Sequence, residues 1–260
     1  MHMHMYTKTL RTLLKEGLMT LDDRILVACG GLFDIRTLEA EGFRNVTISN
    51  LETRTCDYTP YQWSFQDVES LSFADASFDW TIEHAGLHHC GSPHKGLIEM
   101  YRVARKGCLV IEARDSLIMR AAGALGLTPW YELEAVTTNE WTAGGLRNGP
   151  LPNFIYRWTE REVRKTLESA YPHKVNTVRF FYGMRDQSDR MTMSAWPRRF
   201  ITHTLYGAAW CFQRLFPRQC NSFGFAAIHT GQFKPWITAD GSAVRRDYAL
   251  KFDPSKYQKA

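Results

Sequence analysis

The feature that most constrains the fold is a strand, a glycine turn, a helix and a second strand in close succession near the N-terminus. Residues 24–29 form an apolar run that ends in two glycines, and residues 45–50 form another. Between them, residues 34–41 have helical character and end at Gly42. Continuous apolar strands joined by a helix predict a βαβ unit in a parallel sheet that is buried on both faces.

The alternation of strands and helices continues along the chain. Further elements are predicted as strands at residues 78–83, 107–112, 175–181 and 223–229 and as a helix at residues 95–103. Another helix is predicted to begin after Thr159, a good N-cap, with Glu162 completing a capping box. The sequence therefore predicts an α/β fold.

The length of the chain favours one domain. A chain of 260 residues with 44% hydrophobic residues suits a single α/β domain with a sizeable core. We expect that domain to span residues 1–260, with an N-terminal segment at 1–20 (helix at 9–16), a core at 21–115, a cap with the last strands at 116–237, and a tail at 238–260. Residues 186–218 are basic and aromatic and predict a helical insertion before the last strand.

Composition argues against several classes of protein. The net charge is +5 without a Lys/Arg-rich run, so we expect no nucleic-acid partner. No run of about 18 apolar residues could span a bilayer. None of the cysteines forms a CxxC pair, so reduced thiols in a cytoplasmic protein are expected rather than a zinc ribbon or a disulfide framework.

The glycine turn after the first strand is the first candidate binding site. A nucleotide-type cofactor needs close approach to backbone, which glycine permits. The turn reads Cys29-Gly30-Gly31, and we take these residues as candidate cofactor contacts. Against the glycine-rich cofactor-binding pattern acidic-x-Gly-x-Gly-x-Gly, Val27 replaces the acid, Cys29 the first glycine and Phe33 the third. An ordinary structural turn is the alternative.

Polar residues at the end of the second strand strengthen this hypothesis. Asn50 and Glu52 follow the glycine turn by about 20 residues, where such folds place a group that binds ribose hydroxyls. A carboxylate accepts both hydroxyl protons, so Glu52 is slightly favoured. The alternative is that both residues belong to a solvated turn.

Four further motifs carry a family resemblance. They are Gln66–Phe73, Ala76–Asp79, Glu83–Cys90 and Glu99–Gly107. With the glycine turn, they make residues 24–112 resemble the type-11 branch of class I S-adenosylmethionine-dependent methyltransferases. This resemblance implies a Rossmann-like, mostly parallel seven-stranded sheet with helices on both faces, and S-adenosylmethionine as cofactor with S-adenosylhomocysteine as product.

The resemblance also implies roles for individual residues. Asp67 would bond the adenine amino group, the amide of Val68 would bond the ring, and Glu83 would contribute to cofactor binding. The segment from Asn153 to residue 236 is similar to methyltransferase-domain proteins of bacterial surface-polysaccharide assembly. That similarity implies a glycan acceptor, with Asn153 among the substrate contacts.

Histidines after the fourth strand are candidate bases. A neutral imidazole can take the proton of an attacking hydroxyl, so His84, His88 and His89 are candidate catalytic residues. The alternative is a scaffold motif whose imidazoles bond backbone. No Cys or Glu at good spacing completes a tetrahedral metal set, so no metal site is predicted.

Two further features have more than one possible role: the carboxylates that follow the fifth strand, and the basic insertion. Glu112 and Asp115 could orient an acceptor hydroxyl, hold a divalent ion, or be surface carboxylates. Aromatic and Arg residues of the insertion suit a peripheral membrane contact or a sugar platform. A helix packed on the sheet or on a second subunit of a homodimer is the alternative.

Taken together, the sequence predicts a methyltransferase that O-methylates a small-molecule or glycan hydroxyl with a histidine base. One rival hypothesis is a catalytically degenerate cofactor-binding domain that acts as a partner in a polysaccharide-assembly complex. The other is a nucleotide-binding oxidoreductase, and the lack of a GxGxxG motif argues against it.

Overall fold

The computed structural model describes residues 4–54, 57–184 and 211–249. The strands of this part of the chain are β1 (Ile25–Ala28), β2 (Val46–Asn50), β3 (Gln62–Phe65), β4 (Phe78–His84), β5 (Ala104–Arg114), β6 (Arg157–Trp158), β7 (Lys174–Gly183) and β8 (Ser222–Phe233). The main helices are α1 (Met5–Lys15), α2 (Leu32–Glu41), α3 (Pro93–Val103), α4 (Leu117–Ala124), α5 (Leu133–Thr138) and α6 (Glu160–Ala170). A last short helix spans Arg246–Ala249.

The sheet has the order β3-β2-β1-β4-β5-β8-β7, and the two-residue β6 pairs with β5 outside this path. β1 pairs in parallel with β2 and β4, β2 with β3, and β4 with β5, while β8 is antiparallel to both β5 and β7. The predicted mostly parallel sheet is confirmed. Its strand order reverses between β1 and β4, and ligands bind at the carboxyl ends of the strands at such a point.

Helices cover both faces of the sheet, as predicted. Alternate residues of β5 point to opposite faces: Leu109 and Ile111 belong to one buried cluster, which includes residues of α1 and α2. Cys108 and Val110 belong to a second cluster, which includes residues of α3 and α6. Strands covered in this way must be apolar at nearly every position, which explains their continuous apolar runs.

One strand was missed, and one helix cap was predicted. Strand β3 was not predicted, because it is a short edge strand whose side chains are half-buried or exposed. Thr159 caps α6, accepting the backbone N–H of Glu162 at 3.2 Å, and the Glu162 carboxylate is hydrogen-bonded to the Thr159 backbone, as the predicted capping box requires. The same carboxylate also accepts a hydrogen bond from the Tyr156 hydroxyl and lies 3.2 Å from His94 Nε2.

Most of the predicted insertion at residues 186–218 lies outside the described residues. Where the structure describes it, residues 211–215 are helical and Pro217–Gln219 form a 3₁₀ turn. The tail is described as far as residue 249, with an isolated bridge between Ile237 and Val244. Among the described helices, none combines the length and the apolar character that crossing a membrane requires.

Candidate active site

A cleft lies at the point where the strand order reverses. It encloses about 670 Å³ of space, including its open mouth. The predicted site residues that line it are Cys29, Asn50, Asp67, Val68 and His89. Because these residues come from separate segments of the chain, the fold brings the predicted motifs to one place. We call this region the cofactor cleft.

The glycine turn reaches the cofactor cleft at Cys29, whereas Gly30 and Gly31 lie beside the cleft lining. A Cβ atom on Gly30 would lie 2.8 Å from Val27 Cγ1 and 2.9 Å from Ile48 Cγ2, so only glycine fits there. Gly31 has open space where its Cβ would be, and it is the N-cap of α2. Cys29 has φ 54°, in the left-handed region that favours glycine. The backbone therefore keeps the glycine conformation although the side chain has changed.

A buried carboxylate, that of Asp34, holds the glycine turn through a hydrogen bond to its backbone. Asp34 Oδ2 accepts the backbone N–H of Gly31 at 2.9 Å. Burial raises the pKa of Asp34 to about 6. Burial and the neighbouring Asp34 carboxyl also raise the pKa of Tyr6, a fully buried residue of α1. The N-terminal helix therefore packs directly against the base of the glycine turn.

His84 lies at the end of β4 within an aromatic group formed with α1. Its ring stacks on Tyr6, with centroids 5.1 Å apart and planes at 4°. His4 and Phe33 contact the same ring at centroid distances of 5.1 Å and 5.0 Å. His84 is half-buried and does not line the cofactor cleft. Its role as a base stays a prediction.

The two candidate ribose-binding residues have different surroundings. Asn50 Nδ2 donates to the carbonyl of Gly30 at 3.0 Å, and its Oδ1 accepts the N–H of Leu51 at 2.7 Å. Asn50 thus ties β2 to the glycine turn. Glu52 accepts from Arg54 through both carboxylate oxygens, and this hydrogen bonding lowers the pKa of Glu52.

Asp67 is paired with an arginine that sequence reasoning missed. Its Oδ1 accepts the N–H of Glu69 at 2.9 Å, and its Oδ2 accepts from Arg147 Nη2 at 2.5 Å. Arg147 belongs to a 3₁₀ turn, Leu146–Asn148, that also lines the cleft. Nothing in the local sequence of this glycine-rich segment indicated that it folds back onto Asp67.

A second group of residues lies beside the cleft. His88 Nδ1 is 2.8 Å from Glu112 Oε2, and His88 Nε2 is 3.0 Å from Glu132 Oε2. His89 Nε2 lies 3.4 Å from the same oxygen of Glu132. We call His88, His89, Glu112 and Glu132 the His–Glu cluster. Glu132 was not predicted as a site residue, because it lies on the cap, 44 positions from His88.

Electrostatics separates the two histidines of the His–Glu cluster. Burial by itself lowers the pKa of His88, but Glu112 and Glu132 outweigh it and hold that pKa well above its usual value. The hydrogen bond with His88 lowers the pKa of Glu132 to about 2. Burial and the neighbouring His88 lower the pKa of His89. In this arrangement His88 does not offer the neutral imidazole that a general base requires.

The remaining predicted residues lie around these two regions. Glu83 lies beneath Gly86 and accepts its N–H and that of Leu87, while its Oε2 is buried without a hydrogen-bond partner among the described residues. Asn153 is buried and donates to the carbonyl of His88 at 3.1 Å. Asp115 is paired with Arg120 at 2.7 Å, away from the cleft lining.

Residues 26–111 match the model of a family described as "Methyltransferase domain". A search of curated proteins found no match. Among solved structures, the chain is similar to magnesium protoporphyrin IX methyltransferase from Synechocystis PCC 6803 with bound SAH (15% identity, 87% of this chain and 84% of that one, TM-score 0.47). It is also similar to a SAM-dependent methyltransferase from Methanosarcina mazei (14% identity, 83% of this chain and 96% of that one, TM-score 0.47). A third similar structure is the YcgJ protein from Bacillus subtilis (13% identity, 86% of this chain and 96% of that one, TM-score 0.48).

Residues 26–111 thus match a methyltransferase domain, and the sheet has a mostly parallel, Rossmann-like topology. The cofactor of class I methyltransferases is S-adenosylmethionine. The matched segment extends from β1 to β5 and therefore includes the glycine turn, Asp67 and both histidines of the His–Glu cluster. Glu132 and Arg147 lie outside it.

Proposed function

We propose that this chain transfers a methyl group from S-adenosylmethionine to a hydroxyl oxygen of a small-molecule or glycan acceptor. The observation that carries the proposal is the meeting of Cys29, Asn50 and Asp67 in one cleft where the strand order reverses. Open α/β sheets bind their ligands in that position. The glycan class of acceptor rests on the resemblance of the segment that begins at Asn153.

Residues that line the cleft or lie beside it fit this cofactor. The open space at Gly31 allows close approach to the backbone at the N-terminus of α2. Asn50 and Glu52 would hold the ribose hydroxyls, and Asp67 with the Val68 amide would hold the adenine. Asp67 is partly exposed in its ion pair with Arg147, so a ligand can share or replace that partner.

His84 is the base in this proposal, because it directly precedes Ala85, which lines the cleft, and its own side chain lies beside that lining. When bound, S-adenosylmethionine would supply the methyl group, and its sulfur would leave as a neutral thioether when the acceptor oxygen takes that group. The imidazole of His84 would take the hydroxyl proton of the acceptor. His88 and His89 are less suited, because Glu132 contacts both rings.

Two observations favour the rival hypothesis of an inactive, cofactor-binding partner. Cys29 occupies a left-handed position where the methyltransferase pattern has glycine, and Arg147 contacts the carboxylate that would bind adenine. Both hypotheses predict cofactor binding. They differ in turnover.

Calorimetry with S-adenosylhomocysteine tests binding first. The Asp67→Ala variant should bind about 10- to 100-fold more weakly, the usual effect of losing a hydrogen bond to a charged group. Asp22→Ala, at an exposed ion pair with Arg44, is the matched control and should bind like the parent. Absence of binding by the parent to either donor or product would overturn the proposal.

Single-turnover assays with sugars and phenols then test the chemistry. His84→Gln should keep cofactor affinity and melting temperature but lose turnover by about 10²- to 10⁴-fold. Cofactor binding without turnover of any acceptor by the parent would favour the rival. Full turnover by His84→Gln would remove His84 from the mechanism.

A further inference from the structure

Three side-chain atoms of the His–Glu cluster converge on one point. Nε2 of His88 and Nε2 of His89 face the same carboxylate oxygen, Oε2 of Glu132, at 3.0 Å and 3.4 Å. One ligand atom from each of these residues lies within 4.8 Å of the others. Ligands that bind zinc at about 2.0–2.2 Å with tetrahedral angles lie about 3.3 Å from each other. The cluster therefore has nearly the spacing of a coordination sphere.

The outer contacts of both histidines fit the same pattern. His88 Nδ1 faces the buried carboxylate of Glu112 at 2.8 Å, and His89 Nδ1 faces the carbonyl of Gly145 at 3.3 Å. Metal-binding histidines commonly direct their second ring nitrogen to a carboxylate or a backbone carbonyl, which fixes the tautomer and the ring orientation. Each ring here has its Nε2 directed inward and its Nδ1 held from outside.

The hydrogen positions on His89 give a further reason. A neutral imidazole carries one N–H, yet both nitrogens of His89 face oxygen atoms that can only accept. If Nδ1–H points to Gly145, then the lone pair of Nε2 faces the Glu132 carboxylate. The lone pair and the carboxylate oxygen repel each other. A cation bound between His89 Nε2 and Glu132 Oε2 would replace this repulsion with two coordination bonds.

The backbone holds the third ligand in place. The N–H of Glu132 donates to the carbonyl of Asn153 at 3.0 Å, and the Asn153 side chain donates to the carbonyl of His88. Asn153 thus connects the cap segment that carries Glu132 to the 3₁₀ turn Leu87–His89 that carries both histidines. The ligands therefore come from two segments that are tied together.

We propose that His88, His89 and Glu132 bind a divalent transition metal ion, which displaces the proton from His88 Nε2, with Glu112 positioning His88. Two imidazoles and one carboxylate form the ligand set of many zinc sites and of non-haem iron sites, and they are unsuited to magnesium. Three protein ligands leave a coordination position open. Because His89 lines the cofactor cleft, the ion would lie at the cleft wall. The sequence predicted no metal site, because no third ligand was found near the histidines. The structure brings Glu132 to them as that third ligand.

Metal binding can be measured without methyl transfer, so its outcome is independent of the proposed function. Protein freed of metal by chelator dialysis is titrated with Zn²⁺ against a chromophoric competitor. Stoichiometry is checked by elemental analysis. His2 and His4 near the N-terminus are a second source of imidazole, so the parent for this experiment carries His2→Gln and His4→Gln. One ion per chain is expected, and X-ray absorption should show two imidazole ligands.

Variants identify the ligands. Glu132→Gln and His89→Gln should each weaken Zn²⁺ binding by more than about 100-fold, and Glu112→Gln by about 10- to 100-fold. Glu134→Gln, at an exposed carboxylate on the first turn of α5, is the matched control and should bind like the parent. Melting curves without metal show whether each variant folds. Sub-stoichiometric binding by the parent, or undiminished binding by folded Glu132→Gln and His89→Gln proteins, would overturn the proposal.

Discussion

The cofactor cleft and the His–Glu cluster are built in opposite ways at the same edge of the sheet. The cleft is open, and its ion pair is partly solvated, since the side chain of Arg147 is 56% exposed. The His88–Glu112 pair of the cluster is closed, because the side chain of Glu112 has no exposed surface and that of His88 is 10% exposed, whereas His89 and Glu132 are 26% and 21% exposed. A solvated charge can exchange partners when a ligand binds, whereas a buried charge that loses its partner is left uncompensated. The cleft is therefore adaptable and the cluster preorganised.

The largest expected effect tests this contrast directly. Glu112→Ala removes the buried partner of His88 and should lower the free energy of unfolding by about 3–5 kcal/mol. Asp115→Ala, three residues further on, removes a partly exposed partner of Arg120 and should cost at most about 1 kcal/mol. Chemical denaturation of both variants gives the comparison. Equal losses of unfolding free energy in the two variants would mean that the buried His88–Glu112 pair contributes no more to stability than the partly exposed Asp115–Arg120 pair.

A pH-dependent effect distinguishes the buried carboxylate under the cleft. Burial raises the pKa of Asp34 to about 6, so the folded state prefers its protonated form. Its contribution to stability is complete below the usual value of 3.8 and is lost as the pH rises through about 6. Over that range the parent should lose about 3 kcal/mol relative to Asp34→Asn, which keeps an acceptor for the Gly31 N–H.

Urea denaturation of the two proteins at pH values from 4 to 7 measures this difference. The Asp34→Asn protein should become the more stable of the two as the pH increases. Parallel curves at every pH would show that the Asp34 carboxyl has the same pKa in the folded and unfolded states, and would remove the buried-acid interpretation of the glycine turn.

The smallest effect concerns the turn itself. Cys29→Gly and Cys29→Ala both remove the thiol, but only glycine adopts φ 54° without strain. The glycine variant should therefore be about 1 kcal/mol more stable than the alanine variant. Thermal melting of this pair gives the value directly. A more stable alanine variant would indicate that residue 29 leaves the left-handed conformation in solution.

Much of the fold could be predicted from the sequence, because its signals are local. The apolar runs at β1, β2, β4 and β5 correspond to strands buried on both faces. Prediction was poorer where burial is partial. The edge strand β3 has no apolar run, and α1 begins at Met5 rather than near residue 9. Thr159 and Glu162 were recognised as a cap, but the further contacts of Glu162 with His94 and Tyr156 were not.

The residues of the candidate site likewise fall into those that local sequence signals indicate and those that only long-range contacts reveal. The sequence by itself determined the glycine turn, the polar residues after β2 and the histidines after β4, since each lies within a few residues of a strand end. Only the tertiary structure decided that Glu132 meets His88 across 44 positions and that Arg147 meets Asp67 across 80. Those contacts depend on how the cap folds back onto the sheet, and the pKa values of the groups depend on their burial. Neither the contacts nor the burial can be read from the spacing of neighbouring residues.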